Sequence, residues 1–377
     1  MTVRTADFIV IGGGIAGASA AAYLAEAGRV VLLEAEAQPG YHSTGRSAAL
    51  FSETYGNAAI RALTRASRDF YETRCGGLVE HPILTPRGVL LYAAPDQMPD
   101  LEQAWAELAP LDGSLRWLDS DGAREIVPVL RPERAVAAIH EPKATDIDVH
   151  ALHGAYLRLL RRRGGELVTD APVTTLSFRN GAWIVATPAG EFAGPVVVNA
   201  AGAWADAVAR LADLPPVGLV PKRRTALIVP PPADIDTSRW PLTIDVEETG
   251  YFKPEAGKLL VSPADETPVE PCDVQPDELD VAFAIDRLMH NTTIEVRRVE
   301  RKWAGLRCFV ADKTPVVGCD PLAPGFFWLA GQGGYGIQTA DAMARSAAAL
   351  LTENRLPPDI AALGLLPETL SPARFRG

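Results

Sequence analysis

The chain has 377 residues, 47% hydrophobic and 22% charged, a composition typical of a globular enzyme large enough for two domains. Its formal net charge of −11 argues against nucleic acid and anionic membrane surfaces as main partners. The cysteines form neither a CxxC pair nor a Cys/His cluster, so we expect no metal site and free thiols in a reducing cytoplasm. These cysteines are Cys75, Cys272, Cys308 and Cys319.

The first elements form a strand, a glycine turn, a helix and a second strand. FIVI is a fully apolar run typical of a buried parallel strand, and an alanine-rich helix is predicted over 15–27. No signal-peptide pattern precedes this strand, and no run of about 18 apolar residues follows that could span a membrane. The N-terminus therefore begins directly with a βαβ unit.

Three glycines in this turn match GxGxxG, and an acidic residue ends the next strand about 20 residues further on. This is a dinucleotide-binding pattern. The first glycine permits the tight turn, the second the approach of the pyrophosphate, and the third close helix packing. The acidic residue can accept hydrogen bonds from a ribose. The predicted contacts are Gly12, Gly14, Ile15, Ala16, Gly17 and Glu34.

Further along the chain, helices are predicted over 57–75, 99–108 and from 146 to about 163, and a strand from residue 88. Between about 215 and 300 prolines crowd together and the strand-like pieces TALIV, YFKP, KLLVSP and TTIEVRRV predict an antiparallel-rich domain. The run FFWLAGQGGYGIQTADAMARSAAALL then gives a strand, a glycine turn and a helix again. The two ends therefore belong to one discontinuous domain.

The segment GYHSTGRSAA follows the dinucleotide pattern directly. The longer stretch QPGYHSTGRSAA that contains it, together with HPILTPR, ADAVARLA, LVPKRRTALI, WAGLRCFVAD and QGGYGIQT, resembles the D-amino-acid oxidase superfamily of FAD-dependent amine and amino-acid oxidoreductases. Within that superfamily the same stretches resemble the D-arginine dehydrogenases in particular. The resemblance implies FAD rather than NAD. It also implies an α/β fold: a discontinuous Rossmann-like FAD-binding domain (1–80, 145–214, 301–377) and a mixed-sheet, antiparallel-rich substrate domain (81–144, 215–300).

The resemblance also implies where the flavin lies. The segment after Glu34 would line the flavin side of the dinucleotide, and the glycine-rich loop near the C-terminus would face the pyrimidine edge of the ring. A backbone contact at Val173 would read the adenine, although a core valine is an equally good explanation. The further predicted cofactor residues are Ser43, Thr44, Arg46, Ser47, Ala48, Gly202, Gly331, Gly333, Gly336 and Ile337.

We expect the FAD to be non-covalently bound. RSAA carries no histidine where some members of the family attach the cofactor. Cys308 lies in the general region where some sarcosine oxidases tether their flavin, but a buried thiol is the simpler expectation. Whether Cys308 touches the flavin stays open at this point.

For the substrate, the resemblance implies that Arg307 holds a carboxylate in a bidentate fork and that Tyr251 shares it. Arg224 would supply a second polar contact, Tyr55 would close from a mobile loop, and Gly334 would lie in the flavin loop at the reacting centre. Salt bridges for the arginines and core packing for the tyrosines remain alternatives.

Two positions depart from the D-arginine dehydrogenase pattern. Val89 stands where a glutamate would meet the guanidinium, and Leu50 stands where a histidine is expected. A buried guanidinium without a partner would cost several kcal/mol. The departures therefore predict a substrate with an apolar or uncharged side chain, unless Glu53 replaces the missing carboxylate.

The implied reaction is oxidative deamination of a D-amino acid: a hydride passes from Cα to flavin N5, and water hydrolyses the imino acid to a 2-oxo acid and ammonia. One alternative is a glycine- or sarcosine-type oxidase for small secondary amines, and another is a flavin-carrying electron-transfer subunit. The electron acceptor, quinone or oxygen, stays open, and a quinone would add a peripheral position at the inner membrane. The identity of the D-amino acid and the oligomeric state stay open as well.

Overall fold

A computed structural model describes residues 3–73 and 77–376, so Cys75 and the end of the helix predicted over 57–75 lie outside the described residues. The chain divides into two compact units. The first comprises Met1–Leu84, Ile147–Pro221 and Leu306–Gly377, and the second comprises Thr85–Asp146 and Lys222–Gly305.

The centre of the first unit is a six-stranded sheet, parallel except for its last pair. In spatial order its strands are Glu166–Val168, Val30–Leu33, Phe8–Ile11, Val196–Asn199, Phe326–Ala330 and Val316–Cys319. Three of the four inner strands, Phe8–Ile11, Val30–Leu33 and Phe326–Ala330, are apolar at every position because both faces of the sheet are covered. Consecutive residues of one strand point to opposite faces of the sheet: Val10 packs in the core on one face and Ile11 in the core on the other.

Helices cover one face of this sheet, and a second sheet and a short helix cover the other. The helices of the first face are Ile15–Leu24, Ala58–Glu72, Val149–Arg162 and Ala340–Thr352, followed by Pro358–Ala361 and Pro367–Leu370. The second sheet has the order Arg4–Thr5, Gly190–Gly194, Ala182–Thr187, Thr175–Arg179. The elements Gly202–Trp204, Ala205–Leu211 and Pro372–Phe375 complete the first unit.

The second unit contains an eight-stranded sheet with mixed pairing. Strand Leu242–Asp245 runs parallel to Val89–Ala93 and antiparallel to Tyr251–Glu255. The strand order is Arg301–Phe309, Val220–Val229, Lys258–Ser262, Tyr251–Glu255, Leu242–Asp245, Val89–Ala93, Ala137–Glu141 and Arg116–Asp119. This mixed, largely antiparallel sheet and the parallel sheet of the first unit confirm the predicted α/β fold class.

The helix Glu278–Asn291 packs on one face of the eight-stranded sheet, and the helix Met98–Leu108 packs on the other. Val281, Ala284 and Leu288 of one helix share a core with Phe252 and Val261 of the strands. The helical elements of this unit are Pro95–Gln97, Met98–Leu108, Ser120–Ile126 and Glu278–Asn291. Three further short strands of the chain are Leu50–Phe51, Leu84–Pro86 and Thr145–Ile147.

Two local predictions were wrong, and one helix was missed. The helix predicted from residue 146 begins at Val149, because the side chain of Asp148 accepts from the backbone N–H of Ala151 and caps the helix there. TTIEVRRV forms only an isolated bridge at Thr292. The helix Glu278–Asn291 was not predicted at all. Across the described residues, no helix is both long and apolar enough to cross a membrane.

Candidate cofactor and substrate site

The glycine turn is held by two close backbone approaches. Gly12 has φ +106°, and a Cβ there would lie 2.4 Å from the carbonyl oxygen of Ala200, at the end of strand Val196–Asn199. A Cβ on Gly17 would lie 1.8 Å from the carbonyl oxygen of Gly12. Side chains at either position would push the first helix away from the sheet, so both glycines are required by packing.

The acidic residue of the pattern lies directly beside this turn. Glu34 is buried, its Oε2 accepts from the Gly13 N–H at 2.7 Å, and its Oε1 accepts from the Glu36 N–H at 2.9 Å. Its backbone carbonyl accepts from Ala171, two residues before Val173. Val173 is partly buried against the core below the four-stranded sheet. Each carboxylate oxygen keeps a second lone pair that a ribose hydroxyl can use.

The segment after Glu34 reaches the start of the first helix. Thr44 Oγ1 accepts from the Ile15 N–H at 3.0 Å, and a Cβ on Gly14 would lie 3.3 Å from the same oxygen. The remaining N–H groups of the first turn, including that of Ala16, have no partner within the helix and can receive a phosphate. Ser43 Oγ donates to the Leu306 carbonyl at 2.7 Å.

The rest of this segment is more open. The Arg46 guanidinium lies 5.1 Å from the centre of the Tyr41 ring. Ser47 is exposed and Ala48 is half-buried. Gly202 has φ +55° and begins a 3-10 turn at the end of the neighbouring strand.

The glycine-rich loop near the C-terminus is fixed to the strand that carries Arg307. The Gly333 N–H donates to the Cys308 carbonyl at 2.9 Å. Gly331 and Gly333 both have positive φ, and a Cβ on Gly333 would lie 2.3 Å from the Phe309 ring. The loop continues through Gly336 to the buried Ile337, and the following helix begins only at Ala340.

Cys308 is a buried thiol. Burial, helped by the charge of Asp206, raises its pKa to about 12. A thiol with so high a pKa is almost entirely protonated at neutral pH, and the thiolate is the reactive form. The described cysteines Cys272, Cys308 and Cys319 are all free.

Arg307 lies against the glycine loop. A Cβ on Gly334 would be 2.8 Å from Arg307 Nη1 and 3.0 Å from its Cζ. The next residue, Tyr335, pairs with Tyr55, with ring centres 4.9 Å apart. Asn57 holds the Tyr55 segment by donating from Nδ2 to Thr314 Oγ1 at 3.0 Å. The first unit therefore brings Arg307, Gly334 and Tyr55 to one loop.

Three predicted substrate residues of the second unit lie on one face of its sheet. Tyr251 pairs with Ile244, and Val89 pairs with Leu242 on the same strand. Ile244 and Leu242 are two residues apart and face the same side of the sheet, so Tyr251 and Val89 project to that side too. The alternation along Val220–Val229 puts Arg224 on that side too. This is the face opposite to the helix Glu278–Asn291.

Arg224 already has partners within its unit. Its Nε donates to the Asp265 carbonyl at 2.9 Å, and its Nη2 lies 3.4 Å from Glu266 Oε1. Burial raises the pKa of the nearby Asp265 carboxyl above its usual value. Tyr251 is buried and Val89 is half-buried.

A buried ion-pair cluster, not predicted from the sequence, lies on the same sheet face. Lys253, two residues after Tyr251, is buried and donates to Asp146 Oδ1 at 2.7 Å and lies 2.9 Å from Glu255 Oε2. Arg87 Nε donates to Asp146 Oδ2 at 2.7 Å. The sequence signal that could have revealed this cluster is a lysine within an otherwise hydrophobic strand. The cluster is neutral overall, and both oxygens of Asp146 are occupied by cations.

Leu50 and Glu53 lie in the first unit. Leu50 is half-buried on a two-residue strand. Glu53 pairs with Arg68 at 2.6 Å and with Arg65 at 3.7 Å. Its charge is therefore compensated by the protein itself.

A second missed residue is His153. It is buried on the helix Val149–Arg162, and its Nε2 lies 2.9 Å from the carbonyl oxygen of Gly13. A histidine on the buried face of an amphipathic helix was the available signal. Among the described residues, no group of three or more His, Cys, Asp or Glu is arranged to hold a metal ion.

These features define a nucleotide-binding flavoprotein fold: a βαβ turn with an open helix N-terminus, a buried ribose acceptor and a second glycine loop. The sequence matches the family model described as FAD dependent oxidoreductase (DAO) over residues 7–350. The chain therefore belongs to this family of FAD-dependent oxidoreductases. The chemistry of the turn fits the dinucleotide, with N–H groups for the pyrophosphate and Glu34 for the ribose.

The chain is similar to curated oxidoreductases, and a solved structure shares its fold. Dimethylglycine dehydrogenase, mitochondrial, from Homo sapiens is 28% identical over 267 residues, which is 68% of this chain but only 30% of that protein. Glycine oxidase from Bacillus licheniformis is 26% identical over 92% of this chain and 93% of its own length. The crystal structure of L-proline dehydrogenase from P. horikoshii superposes with a TM-score of 0.83 at 22% identity, covering 100% of this chain and 99% of that one.

Proposed function

We propose that this protein oxidises the Cα–N bond of a D-amino acid with an apolar or uncharged side chain, giving an imino acid that water hydrolyses to a 2-oxo acid and ammonia. The observation that carries the proposal is the position of Arg307. Its guanidinium lies directly against Gly334, in the glycine loop that the family resemblance predicts to face the flavin. A carboxylate bound there would hold an α-amino acid beside the cofactor.

When bound, FAD supplies the two-electron acceptor of the reaction. The chain contributes orientation. Arg307 offers a planar fork that fixes a carboxylate in two hydrogen bonds, which leaves little freedom for the Cα–H direction. Tyr55, whose ring packs at a tilt against that of Tyr335, would cover the loop on which Gly334 lies. We propose that the first unit is the FAD-binding domain and that the second is the substrate domain.

The sheet face that carries Val89, Tyr251 and Arg224 supports a substrate with an apolar or uncharged side chain. Val89 offers no charge, and the neighbouring Lys253 and Arg87 are neutralised by Asp146 and Glu255. Glu53, the candidate counter-charge for a basic substrate, is paired with Arg68. A cationic side chain would have to break one of these pairs, whereas an aliphatic one gains roughly 1.5–3 kcal/mol on burial.

We propose non-covalent FAD. RSAA carries no histidine, and the Cys308 thiol is buried and protonated, so it is a poor nucleophile toward a flavin.

Anaerobic bleaching of the flavin absorbance near ~450 nm tests the proposal, since only substrates that reduce the cofactor bleach it. The panel contains matched D- and L-forms of leucine, methionine, phenylalanine, lysine and arginine. We expect the D-forms of the first three to reduce the flavin fastest. Reduction by the L-forms alone, or D-arginine faster than every apolar D-amino acid by tenfold or more, would contradict the proposal.

The second candidate is a glycine- or sarcosine-type oxidase acting on a small amine. The matches to glycine oxidase, over nearly the full length of both chains, and to dimethylglycine dehydrogenase favour it. The same carboxylate contact at Arg307 suits these substrates. Adding glycine, N-methylglycine and N,N-dimethylglycine to the panel separates the two: flavin reduction by these compounds, without reduction by larger D-amino acids, would select the second candidate. The electron acceptor is then identified by reoxidising the reduced protein with oxygen or a soluble quinone.

A further inference from the structure

The peptide units around Gly13 are held from two sides. The Gly13 N–H donates to Glu34 Oε2 at 2.7 Å, and the Gly13 carbonyl oxygen lies 2.9 Å from His153 Nε2. A carbonyl oxygen can only accept a hydrogen bond, so Nε2 carries the ring proton and donates it. The two partners come from different elements: Glu34 follows the second strand, and His153 lies on the helix Val149–Arg162.

This contact fixes the direction of the next N–H group. The C=O of Gly13 and the N–H of Gly14 belong to one planar trans peptide unit and point in opposite directions. Because the carbonyl points at the imidazole, the Gly14 N–H points away from it. In a GxGxxG turn the backbone at this second glycine approaches the pyrophosphate.

The imidazole also touches the segment that follows Glu34. Gly40 has φ +79°, and a Cβ there would lie 3.0 Å from His153 Cε1. The Gly40 carbonyl accepts from the Gly45 N–H at 2.8 Å, which closes a turn around Thr44. Thr44 Oγ1 in turn accepts from the Ile15 N–H. One buried ring therefore contacts both segments that meet at the N-terminus of the first helix.

The His153 ring donates this hydrogen bond to Gly13 without adding a charge. Burial lowers the pKa of His153 below the ordinary histidine value, the hydrogen bond to Gly13 opposes this effect, and nearby His150 adds to it. An apolar ring of similar size would fill the same space but would leave the buried Gly13 carbonyl without a hydrogen-bond partner. The donor at Nε2 therefore has a role beyond packing.

We propose that His153 is a positioning residue for FAD: its Nε2–H orients the Gly13–Gly14 peptide so that the Gly14 N–H is presented to the pyrophosphate. The inference rests on the FAD-dependence of the family and not on which amine is oxidised.

Two substitutions of matched shape test the donor. In His153→Gln the amide nitrogen can still donate to Gly13, while His153→Met has nearly the same length and no donor. The rate of FAD release from the diluted holoenzyme is followed by the rise of flavin fluorescence, and circular dichroism melting of each variant checks the fold. We expect release about 10-fold faster in His153→Met and within about 3-fold of wild type in His153→Gln. His150→Met, exposed on the same helix, is the control and should release FAD at the wild-type rate.

Equal rates for the methionine and glutamine variants, or a wild-type rate for methionine, would overturn the proposal. If the methionine variant does not fold, His153→Asn replaces it, because its amide falls short of the Gly13 carbonyl. FAD release must then be faster from His153→Asn than from His153→Gln, and equal rates contradict the role of the donor. Amine oxidation is not the readout, so a wrong substrate assignment cannot mimic either result.

Discussion

The contact between Gly334 and Arg307 makes a single methyl group a sharp probe of the proposed substrate anchor. In Gly334→Ala the new Cβ would lie 2.8 Å from Arg307 Nη1. Ordinary van der Waals contact begins near 3.4 Å, so the guanidinium must move by at least about 0.6 Å. Because the clashing atoms are the end of a flexible side chain, the fold can absorb this movement at little cost in stability.

The effect on the substrate should be much larger than the effect on the fold. A bidentate arginine fork depends on both direction and distance, and a misplacement of about 1 Å at such a contact can cost on the order of 100-fold in rate. For a shift of about 0.6 Å we expect kcat/KM to fall about 10- to 100-fold, equivalent to about 1.4–3 kcal/mol. The flavin spectrum and the melting temperature should stay close to those of the wild type.

Stopped-flow reduction of the flavin over a range of substrate concentrations measures the effect, and thermal unfolding measures stability. Gly113→Ala is the control, since a Cβ there meets no atom within 4 Å. A kcat/KM within twofold of wild type in Gly334→Ala would refute the assignment of Arg307 as the carboxylate anchor. An equal loss for Gly113→Ala would point to a general effect of the substitution.

Four other outcomes are expected. Arg307→Ala should lower kcat/KM by about 3 kcal/mol or more with an intact flavin spectrum, and Arg307→Lys should rescue poorly because the planar fork is lost; near-wild-type kinetics in either variant would remove Arg307 from the site. Acid precipitation should release the yellow cofactor into the supernatant, whereas colour that stays with the chain and disappears in Cys308→Ser would show a covalent link. Glu34→Ala should retain less FAD on gel filtration than wild type, because the Gly13 N–H and the ribose both lose an acceptor; unchanged retention would count against that role. Val89→Glu should shift kcat/KM toward D-arginine relative to D-leucine, and an unchanged ratio would remove Val89 from the side-chain pocket.

The sequence by itself determined the class of fold and the cofactor. Strand Phe8–Ile11 and helix Ile15–Leu24 lie where the apolar run and the glycine turn predicted them, because short-range patterns suffice where both faces of a strand are buried. The same patterns failed for Glu278–Asn291, whose exposed Leu279 and Phe283 obscure the polar face of an amphipathic helix. TTIEVRRV has strand-forming residues but pairs only at Thr292, since a strand also needs a partner.

Only the tertiary structure decided which side chains meet. His153 reaches Gly13 from 140 residues away, and Lys253 finds Asp146 across 107 residues. No periodicity or spacing in the chain encodes such pairs, because they depend on which helix or strand packs beside which. The apolar substrate pocket predicted from Val89 stays a prediction, and the structure adds a buried, internally neutralised ion-pair cluster on the same sheet face. The fold follows from local burial patterns, whereas the electrostatics of the site follow from contacts that exist only once the sheets are assembled.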